Sequence, residues 1–295
     1  MKQNRFSLIA TISLTLFLTA CQQTTSLREL PSQFADGATG KIHYKTYGDK
    51  LPTIVFVHGF GCDINAWEKQ FPYFAEKNRM VFIDLPGHGG SDKPLTADYS
   101  LDTYADAVKT VLDTLNIDQA VLIGHSLGTP VCRRVAQNYP QLVSKLCDVD
   151  GVYCFYPTDS TEYKIYKAAI DGFVSIFQDE KQYKDNINGF VGSLFIASTP
   201  DSVKNYATRL MPQTPQPIAN STMKRLVDEN FWDKSVISLP TLVFCSTNSQ
   251  IPANYKEIMQ TLYSDMEYQE WNDVGHFMMM ENPERFNSTL DNFIK

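Results

Sequence analysis

Short apolar runs alternate with segments of helical spacing along the first half of the chain. The apolar runs lie at 41–47, 53–57, 80–83, 120–123 and 143–149. Segments with the spacing of amphipathic helices lie between them, at 65–76, 101–115 and 127–138. Short strands that alternate with helices are typical of a sheet that is covered on both sides. The pattern therefore predicts a mostly parallel central sheet with helices on both faces.

The alternation stops between residues 152 and 238. This stretch is rich in aromatic residues and has no strong strand signal. Helical spacing within it occurs at 163–177, 183–195 and 221–230. A helical stretch inserted in a sheet domain predicts a lid, whose aromatic side chains form its core and part of an apolar pocket.

Strand-like runs resume at 241–244 and 266–271, and a last helix is predicted from Pro283 to about residue 294. The prediction is therefore an α/β fold with an inserted cap. Its parts are a core formed by 40–151 and 239–295 and a helical lid formed by 152–238.

The N-terminus has the features of an export signal. Lys2 and Arg5 precede an apolar run over 6–18, which is shorter than the roughly 20 residues that a spanning helix needs. Ala20 and Cys21 follow, and this pattern resembles the bacterial lipoprotein signal. The alternatives are a plain cleaved signal peptide and an uncleaved anchor.

The resemblance implies that residues 1–20 are removed, that Cys21 carries the lipid, and that 21–39 form a tether. Gln22 follows the cysteine, where aspartate would be the usual inner-membrane retention signal. We therefore expect a protein of the bacterial cell envelope that is held to a membrane by its N-terminal lipid, with the outer membrane favoured.

Charge and cysteine content narrow the classes of partner. The formal net charge is −7 and the chain has no long basic run, which argues against nucleic-acid binding. Export permits disulfides, but five cysteines remain beyond Cys21, so at least one is unpaired, and buried free thiols are favoured. No cluster with metal-ligand spacing occurs, so we predict neither metal nor cofactor. The oligomeric state is not predicted.

Two segments suggest nucleophilic catalysis. Residues 124–128 match the pattern G-x-S-x-G between a predicted strand and a predicted helix, which favours Ser126 as a nucleophile over a serine that only forms a turn. His276 follows the last predicted strand, downstream of the serine, and an imidazole there is suited to act as a general base.

With these motifs, residues 41–295 resemble the α/β-hydrolase family in its capped branch, with a serine nucleophile. Residues 58–61 resemble the family's oxyanion-hole loop, which implies that the backbone N–H groups of Phe60 and Leu127 hold the oxyanion. Residues 84–92 resemble another family motif, in which Asp84 and His88 are scaffold, and His58 is expected to be structural as well.

The acid of the expected triad departs from the family's common pattern. The usual position, after the run at 241–244, holds Asn248 and Ser249 and no carboxylate. Some relatives carry the acid after the preceding strand, where Asp150 lies. We therefore favour Asp150, with Asp273 as a weaker candidate; the alternative role of Asp150 is to cap the first turn of the lid.

These residues predict a serine hydrolase that cleaves a small-molecule carboxylic ester, apolar or aromatic, through an acyl-enzyme. A serine in place of an aspartate nucleophile argues against dehalogenation and epoxide opening. Thioester, amide and C–C bond hydrolysis on the same triad remain open, as does a binding protein that keeps the fold without catalysis.

Overall fold

A computed structural model of the protein describes residues 26–249, 252 and 254–295. The predicted signal peptide over 1–20 and the predicted lipidation site at Cys21 lie outside the described residues. Within the part of the chain that is described, no helix combines the length and the apolar character needed to cross a membrane.

The described residues form one eight-stranded sheet, in the order β1-β2-β4-β3-β5-β6-β7-β8. The first two strands are antiparallel to their neighbours, and all other pairs are parallel. This topology confirms the predicted α/β class. The strands are β1 (Gln33–Gly37), β2 (Gly40–Tyr47), β3 (Ile54–Val57), β4 (Met80–Ile83), β5 (Ala120–His125), β6 (Val143–Val149), β7 (Thr241–Ser246) and β8 (Met266–Trp271).

Helices cover the sheet and form the cap. They are α1 (Phe71–Phe74), α2 (Leu101–Thr114), α3 (Gly128–Asn138), α4 (Ser160–Ser175), α5 (Tyr183–Gly192), α6 (Asp201–Leu210), α7 (Gln216–Leu226), α8 (Tyr255–Leu262), α9 (Met278–Glu281) and α10 (Pro283–Ile294). Helices α4 to α7 lie in the segment that was predicted as a lid.

The core is dominated by large side chains on the strands. Phe56 of β3 stacks on Phe82 of β4, with ring centroids 4.9 Å apart, and packs against Trp67 and Phe74 from the segment after β3. Each such aromatic pair contributes about 0.5–1.5 kcal/mol beyond the burial of its area. This packing fixes β3 against β4, and the parallel pairing of β3 with β5 and of β5 with β6 aligns the strands whose carboxyl ends carry the residues of the site.

The cap packs directly on the segment after β3. The ring of Phe177, at the end of α4, lies 5.6 Å from that of Phe60, and it also contacts Phe173 and Phe190. Gly61 has a φ of +68°, and a β-carbon there would lie 2.9 Å from the Cα of Met211, so no larger residue fits. The cap therefore borders the residues beside Ser126.

The structure corrects several boundaries. Leu27 is fully buried and β1 pairs with β2, so residues 27–39 belong to the folded domain and not to the tether that was predicted over 21–39. The predicted helix over 65–76 is a 3-10 turn (Ile64–Trp67) followed by α1. The helix predicted over 221–230 ends at Leu226 and begins earlier, because Pro217 suits its first turn. Helices α6 and α8 were not predicted.

Candidate active site

Ser126 lies in a sharp turn between β5 and α3. Its φ is +52°, and its amide donates to the carbonyl oxygen of Val149 at 2.9 Å. A β-carbon at Gly124 would lie 2.2 Å from the Gly128 carbonyl oxygen, and one at Gly128 would lie 2.3 Å from that of Val57. Both glycines are therefore required for a turn that holds the serine in a strained conformation.

Two backbone amides beside Ser126 are unpaired. In the part of the chain that the structure describes, neither Phe60 nor Leu127 donates its N–H to another protein group. Both residues line a cavity with Ser126, and α3 begins directly after Leu127. Free N–H groups at a helix N-terminus attract negative charge, so this pair can hold an oxyanion.

His276 is paired with Asp150. The imidazole Nδ1 lies 2.6 Å from Asp150 Oδ2, and the Asp150 side chain is only 1% exposed. Asp150 follows β6 with a φ of +48°, and this conformation turns the chain at the carboxyl end of that strand. Two further groups donate to the carboxylate: the Ser246 amide to Oδ1 at 2.8 Å and the Ser249 hydroxyl to Oδ2. Three donors thus hold one buried carboxylate in a fixed orientation.

The other acidic candidates lie elsewhere. Asp273 is half exposed and pairs with Arg285 at 3.2 Å. Asp148 is buried beneath the site, where its Oδ2 accepts hydrogen bonds from the hydroxyls of Tyr153 and Tyr263. Burial raises the pKa of Asp148 to about 6, against the opposing effect of these hydroxyls. Only Asp150, among the three aspartates considered, reaches the imidazole.

The two residues at the common acid position support the site in another way. Ser249 donates to Asp150, as described above. Asn248 donates from Nδ2 to the carbonyl oxygens of Asn272 and Val274, at 3.0 and 2.9 Å, and so anchors the segment that leads to His276.

Ser126 and His276 border the same cavities, although no hydrogen bond joins their side chains among the described residues. His125 stabilises the loop that carries His276, because its Nε2 donates to the His276 carbonyl oxygen at 3.0 Å. Burial, with a smaller contribution from His276, lowers the pKa of His125 well below its usual value. The His125 ring is therefore neutral and carries its proton on Nε2.

Glu281 holds the loop on both sides of His276. Its Oε2 accepts the Gly275 amide at 2.9 Å, and its Oε1 accepts the Phe277 amide at 3.2 Å. The same carboxylate accepts the Thr199 hydroxyl of the cap at 3.0 Å. The sequence analysis missed Glu281, because an acidic residue at the end of a short methionine-rich turn gives no signal that it folds back on the preceding loop.

The contacts of the motif around Asp84 hold neighbouring segments of the chain together. The buried Asp84 carboxylate accepts hydrogen bonds at 2.7 Å from His43 Nδ1 and from the amides of Ile64 and Gly90. Burial alone would raise the pKa of Asp84, but the hydrogen bond from His43 helps to hold it below its usual value. His88 is fully buried, and burial lowers its pKa to about 3. None of these side chains lines a cavity with Ser126.

His58 supports the same region. Its Nε2 accepts the Leu85 amide at 3.0 Å, and its Nδ1 donates to the Gly59 carbonyl oxygen at 2.7 Å. The ring therefore joins the loop that carries Phe60 to the segment after β4. The five described cysteines are also buried, with free thiols.

Two cavities of unequal size meet at Ser126 and His276. The small one, of about 40 Å³, is lined by the loop that carries Phe60 and by residues of the cap. The large one, of about 340 Å³, extends along Asp150 and under α4. Side chains that border both cavities are those of Ser126, Val152, Phe173, Phe190, Leu194, Leu226 and His276.

Sequence comparison finds partial matches to curated proteins. The chain is 39% identical over 95 residues to an uncharacterized protein of Mycobacterium tuberculosis, which covers 32% of this chain and 28% of that protein. It is 35% identical over 111 residues to an (E)-2-((N-methylformamido)methylene)succinate hydrolase of Acinetobacter baylyi, which covers 38% and 41%. The chain thus spans less than half the length of these relatives. The strigolactone esterase RMS3 of Pisum sativum matches more fully, with 25% identity over 80% of this chain and 89% of that one.

Solved structures share the fold over almost the whole described region. An esterase (EaEST) from Exiguobacterium antarcticum superposes with a TM-score of 0.77 at 21% identity, over 90% of this chain and 99% of that chain. Est816, an N-acyl homoserine lactone degrading enzyme, gives a TM-score of 0.73 at 25% identity, over 88% and 100%.

A family model agrees with these structures. The model described as the alpha/beta hydrolase fold matches residues 52–283, which is most of the chain. The matched region contains the turn at Ser126, the paired Asp150 and His276, and the whole cap. The chain therefore belongs to the alpha/beta hydrolase fold family.

Proposed function

We propose that the protein is a serine hydrolase that cleaves carboxylic esters of apolar compounds through an acyl-enzyme. Ser126 is the nucleophile, His276 the general base and Asp150 the acid that orients the imidazole. The observation that carries this proposal is the pairing of His276 Nδ1 with Asp150 at 2.6 Å, beside a serine in a strained turn that borders two unpaired amides.

In the first half of the reaction, His276 Nε2 takes the hydroxyl proton of Ser126 while Oγ attacks the ester carbonyl carbon. The carbonyl oxygen becomes an oxyanion and accepts hydrogen bonds from the Phe60 and Leu127 amides. One such donor lowers the barrier by about 2.7–4 kcal/mol. The bond to the leaving oxygen then breaks, and His276 returns its proton to the alcohol.

Water completes the cycle. His276 takes a proton from water, whose oxygen attacks the acyl carbon, and the Ser126 oxygen leaves with that proton as the carboxylic acid forms. In unliganded enzymes the bond between nucleophile and base is often long and shortens when substrate binds. Ser126 and His276, which form no such bond among the described residues, border common cavities in which a substrate would bring them together.

Two relatives support the choice of ester hydrolysis. One is named a strigolactone esterase, and Est816 is named an enzyme that degrades N-acyl homoserine lactones, which contain a cyclic ester. Each aligns with more than four fifths of its length to this chain. The walls of both cavities are mostly apolar side chains, which favours an apolar substrate over a sugar or a phosphate.

The proposal is tested with a fluorophosphonate probe on the full-length protein. We expect covalent labelling that is lost in Ser126→Ala. Ser32→Ala is a matched control, because the Ser32 hydroxyl lies 2.9 Å from His43 Nε2, whose Nδ1 bonds to Asp84 at 2.7 Å. In the part of the chain that is described, this second serine–histidine–aspartate contact does not border the cavities at the Phe60 and Leu127 amides, so Ser32→Ala should keep the label. A protein that keeps the fold without catalysis would show no labelling that depends on Ser126.

We also propose that a lipid on Cys21 holds the protein to a membrane of the bacterial cell envelope. The support is the sequence pattern at the N-terminus, described above. Acyl chains contribute about 0.8 kcal/mol per buried CH₂ group, so several chains give stable attachment. The protein should sediment with membranes, and Cys21→Ser should release it; unchanged sedimentation of that variant would refute lipid attachment.

A further inference from the structure

The segment of the cap that precedes α6 lies directly on the loop that carries His276. The His276 amide donates to the Leu194 carbonyl oxygen of this segment at 3.3 Å. A β-carbon at Gly275 would lie 3.1 Å from the same oxygen and 3.3 Å from Thr199 Oγ1, so the two segments approach each other closely. The cap is therefore one wall of the loop that carries the general base.

Three successive amides of this loop each have an acceptor. The Gly275 and Phe277 amides donate to the two oxygens of Glu281, whereas the His276 amide donates to Leu194 of the cap. Backbone bonds on the histidine and on both of its neighbours restrict the movement of the imidazole. One of these acceptors belongs to the cap, and the other two are the oxygens of a single carboxylate, so its orientation decides whether both bonds form.

Thr199 of the cap fixes the orientation of that carboxylate. Its hydroxyl donates to Glu281 Oε2 at 3.0 Å and accepts the Ile196 amide at 3.0 Å. The Thr199 amide donates to the Ile196 carbonyl oxygen at 3.1 Å, so the hydroxyl belongs to a hydrogen-bonded turn that sets its direction. Thr199 is only 3% exposed, so its bond to Glu281 is largely shielded from water.

Thr199 lies outside the cavities in which a substrate would bind. Among the described residues, neither Thr199 nor Glu281 borders a cavity at Ser126, whereas Leu194 borders both. A change of the Thr199 hydroxyl therefore acts on the reaction through the position of the loop and not through a contact with substrate. It should change the rate of the chemical step more than the binding of substrate.

We propose that Thr199 is a positioning residue for the general base: its hydroxyl orients Glu281, and Glu281 holds the loop that places His276 beside Ser126. This inference rests on the proposed function and adds a residue of the cap to the groups on which proton transfer depends. A displacement of a reacting group by about 1 Å can lower a rate about a hundredfold. Loss of the Thr199 bond leaves Glu281 its two bonds to the loop, so we expect a smaller effect, of about tenfold.

Substitutions of Thr199 in the full-length protein test the role of its hydroxyl. We expect Thr199→Val to lower kcat for 2-phenylethyl acetate about tenfold, with KM within about twofold, and Thr199→Ser to restore kcat. Thr199→Ala, which places no methyl group against the carboxylate, should show the same loss. The rate of fluorophosphonate labelling at Ser126 should fall in proportion, because this reaction also needs His276 to take the serine proton. Wild-type rates in these two variants would overturn the inference.

A second threonine of the cap provides the matched control. Thr208 is exposed on α6, where its hydroxyl donates to the Lys204 carbonyl oxygen at 2.7 Å. Thr208→Val removes a hydroxyl and one hydrogen bond, as Thr199→Val does, but at a site away from Glu281. Both kcat and the rate of labelling should be unchanged in Thr208→Val, and an equal loss in this control would overturn the inference.

A double variant tests whether Thr199 acts through Glu281. Glu281→Ala removes the carboxylate that Thr199 orients, so the addition of Thr199→Val should change kcat by less than about twofold further. If the hydroxyl only stabilised its own turn with Ile196, the two losses would be independent and would multiply. Multiplied losses would therefore refute a role through Glu281.

Fluorophosphonate labelling also separates the two possible failures. Its final extent at Ser126 gives the concentration of folded active sites, and each rate is divided by that concentration, so misfolded protein is not counted. Labelling of the wild type, together with wild-type rates in Thr199→Val, overturns the inference alone. The absence from the wild type of both Ser126 labelling and ester hydrolysis overturns the proposed function, and the inference with it.

Discussion

Replacement of Asp150 by asparagine changes the charge of the site with little change of shape. In the native protein, Oδ2 accepts from His276 Nδ1 and from the Ser249 hydroxyl, while Oδ1 accepts from the Ser246 amide. An asparagine has one oxygen and one NH₂ group, so it cannot accept on both sides. The NH₂ group must therefore face either the Ser246 amide or the pair formed by His276 Nδ1 and the Ser249 hydroxyl.

Each orientation of the asparagine has a cost. If the NH₂ group faces His276, it donates to Nδ1 and forces the ring proton onto Nε2, which can then no longer accept the Ser126 proton. If it faces Ser246, two N–H groups oppose each other at a separation that was 2.8 Å, and an unsatisfied buried donor costs about 1–3 kcal/mol. The first orientation avoids this clash, and we expect it to dominate, with the wrong tautomer of His276.

The expected loss is large. The acid-to-amide change in a well-studied serine protease lowers kcat by about 10⁴. We expect Asp150→Asn to lower kcat by about 10³–10⁴, which equals about 4–5.5 kcal/mol in the activation free energy. The assay is hydrolysis of 2-phenylethyl acetate, with circular dichroism to confirm folding.

A second aspartate provides the control for Asp150→Asn. Asp273 also lies near His276 in sequence, but it is half exposed and pairs with Arg285 instead. Asp273→Asn should keep kcat within about twofold, because an exposed ion pair contributes little. The reasoning is refuted if Asp150→Asn keeps wild-type activity, or if Asp273→Asn causes the larger loss.

Three further predictions concern the loop that carries His276, the buried carboxyl group of Asp148 and the turn at Ser126. Glu281→Gln should lower kcat about tenfold with little change in KM, because one of the two amides beside His276 loses its acceptor; exposed Glu284→Gln is the kinetic control. The pKa of Asp148 is raised to about 6 in the folded protein, so between about pH 4 and pH 6 the folded protein keeps a proton that the unfolded chain has lost. The free energy of unfolding therefore includes the full contribution of this proton below about pH 4 and falls by up to about 3 kcal/mol as the pH rises to about 6. Urea unfolding of Asp148→Asn should lack this slope, and an equal slope in both proteins would contradict it. Gly124→Ala should lower the free energy of unfolding, measured in urea, by about 3 kcal/mol, because its β-carbon would lie 2.2 Å from a carbonyl oxygen. Gly189→Ala, with open space around it in α5, should raise the free energy of unfolding by about 0.5–1 kcal/mol.

The parts of the fold that the sequence predicts are those in which local pattern and tertiary packing agree. The strand, glycine, serine and helix around Ser126 are contiguous, so one short segment contains all the information for the turn. The long helix α2 has a continuous apolar stripe and begins at Leu101, directly after Ser100, which caps it.

Elements with a weak pattern were missed for physical reasons. Strand β1 is at the edge of the sheet and buries only Ala35, so it has no apolar alternation. Helix α8 buries three side chains, Tyr255, Met259 and Leu262, among polar residues, and this is too few for a clear period. Both elements are stabilised by contacts with distant parts of the chain, which a local pattern cannot contain.

The residues of the site also separate into those that a local pattern predicts and those that depend on contacts between distant parts of the chain. Asp150 was favoured because some relatives carry the acid after the strand that precedes the common acid position. In the structure, the pairing of β5 with β6 brings Asp150 and Ser126 to the same end of the sheet. The supporting donors at Ser246 and Ser249, and the carboxylate of Glu281, depend on how loops fold back on each other. No spacing rule specifies such contacts.

The central claim, that Ser126 carries the acyl group, is tested most directly by rapid-quench mass spectrometry during turnover of 2-phenylethyl acetate. We expect acetylation of the peptide that contains Ser126, formed and lost at rates consistent with kcat, and absent in Ser126→Ala. Alcohol release without any acylated peptide, or an acetyl group on another residue such as Ser32 at a competent rate, would contradict the account.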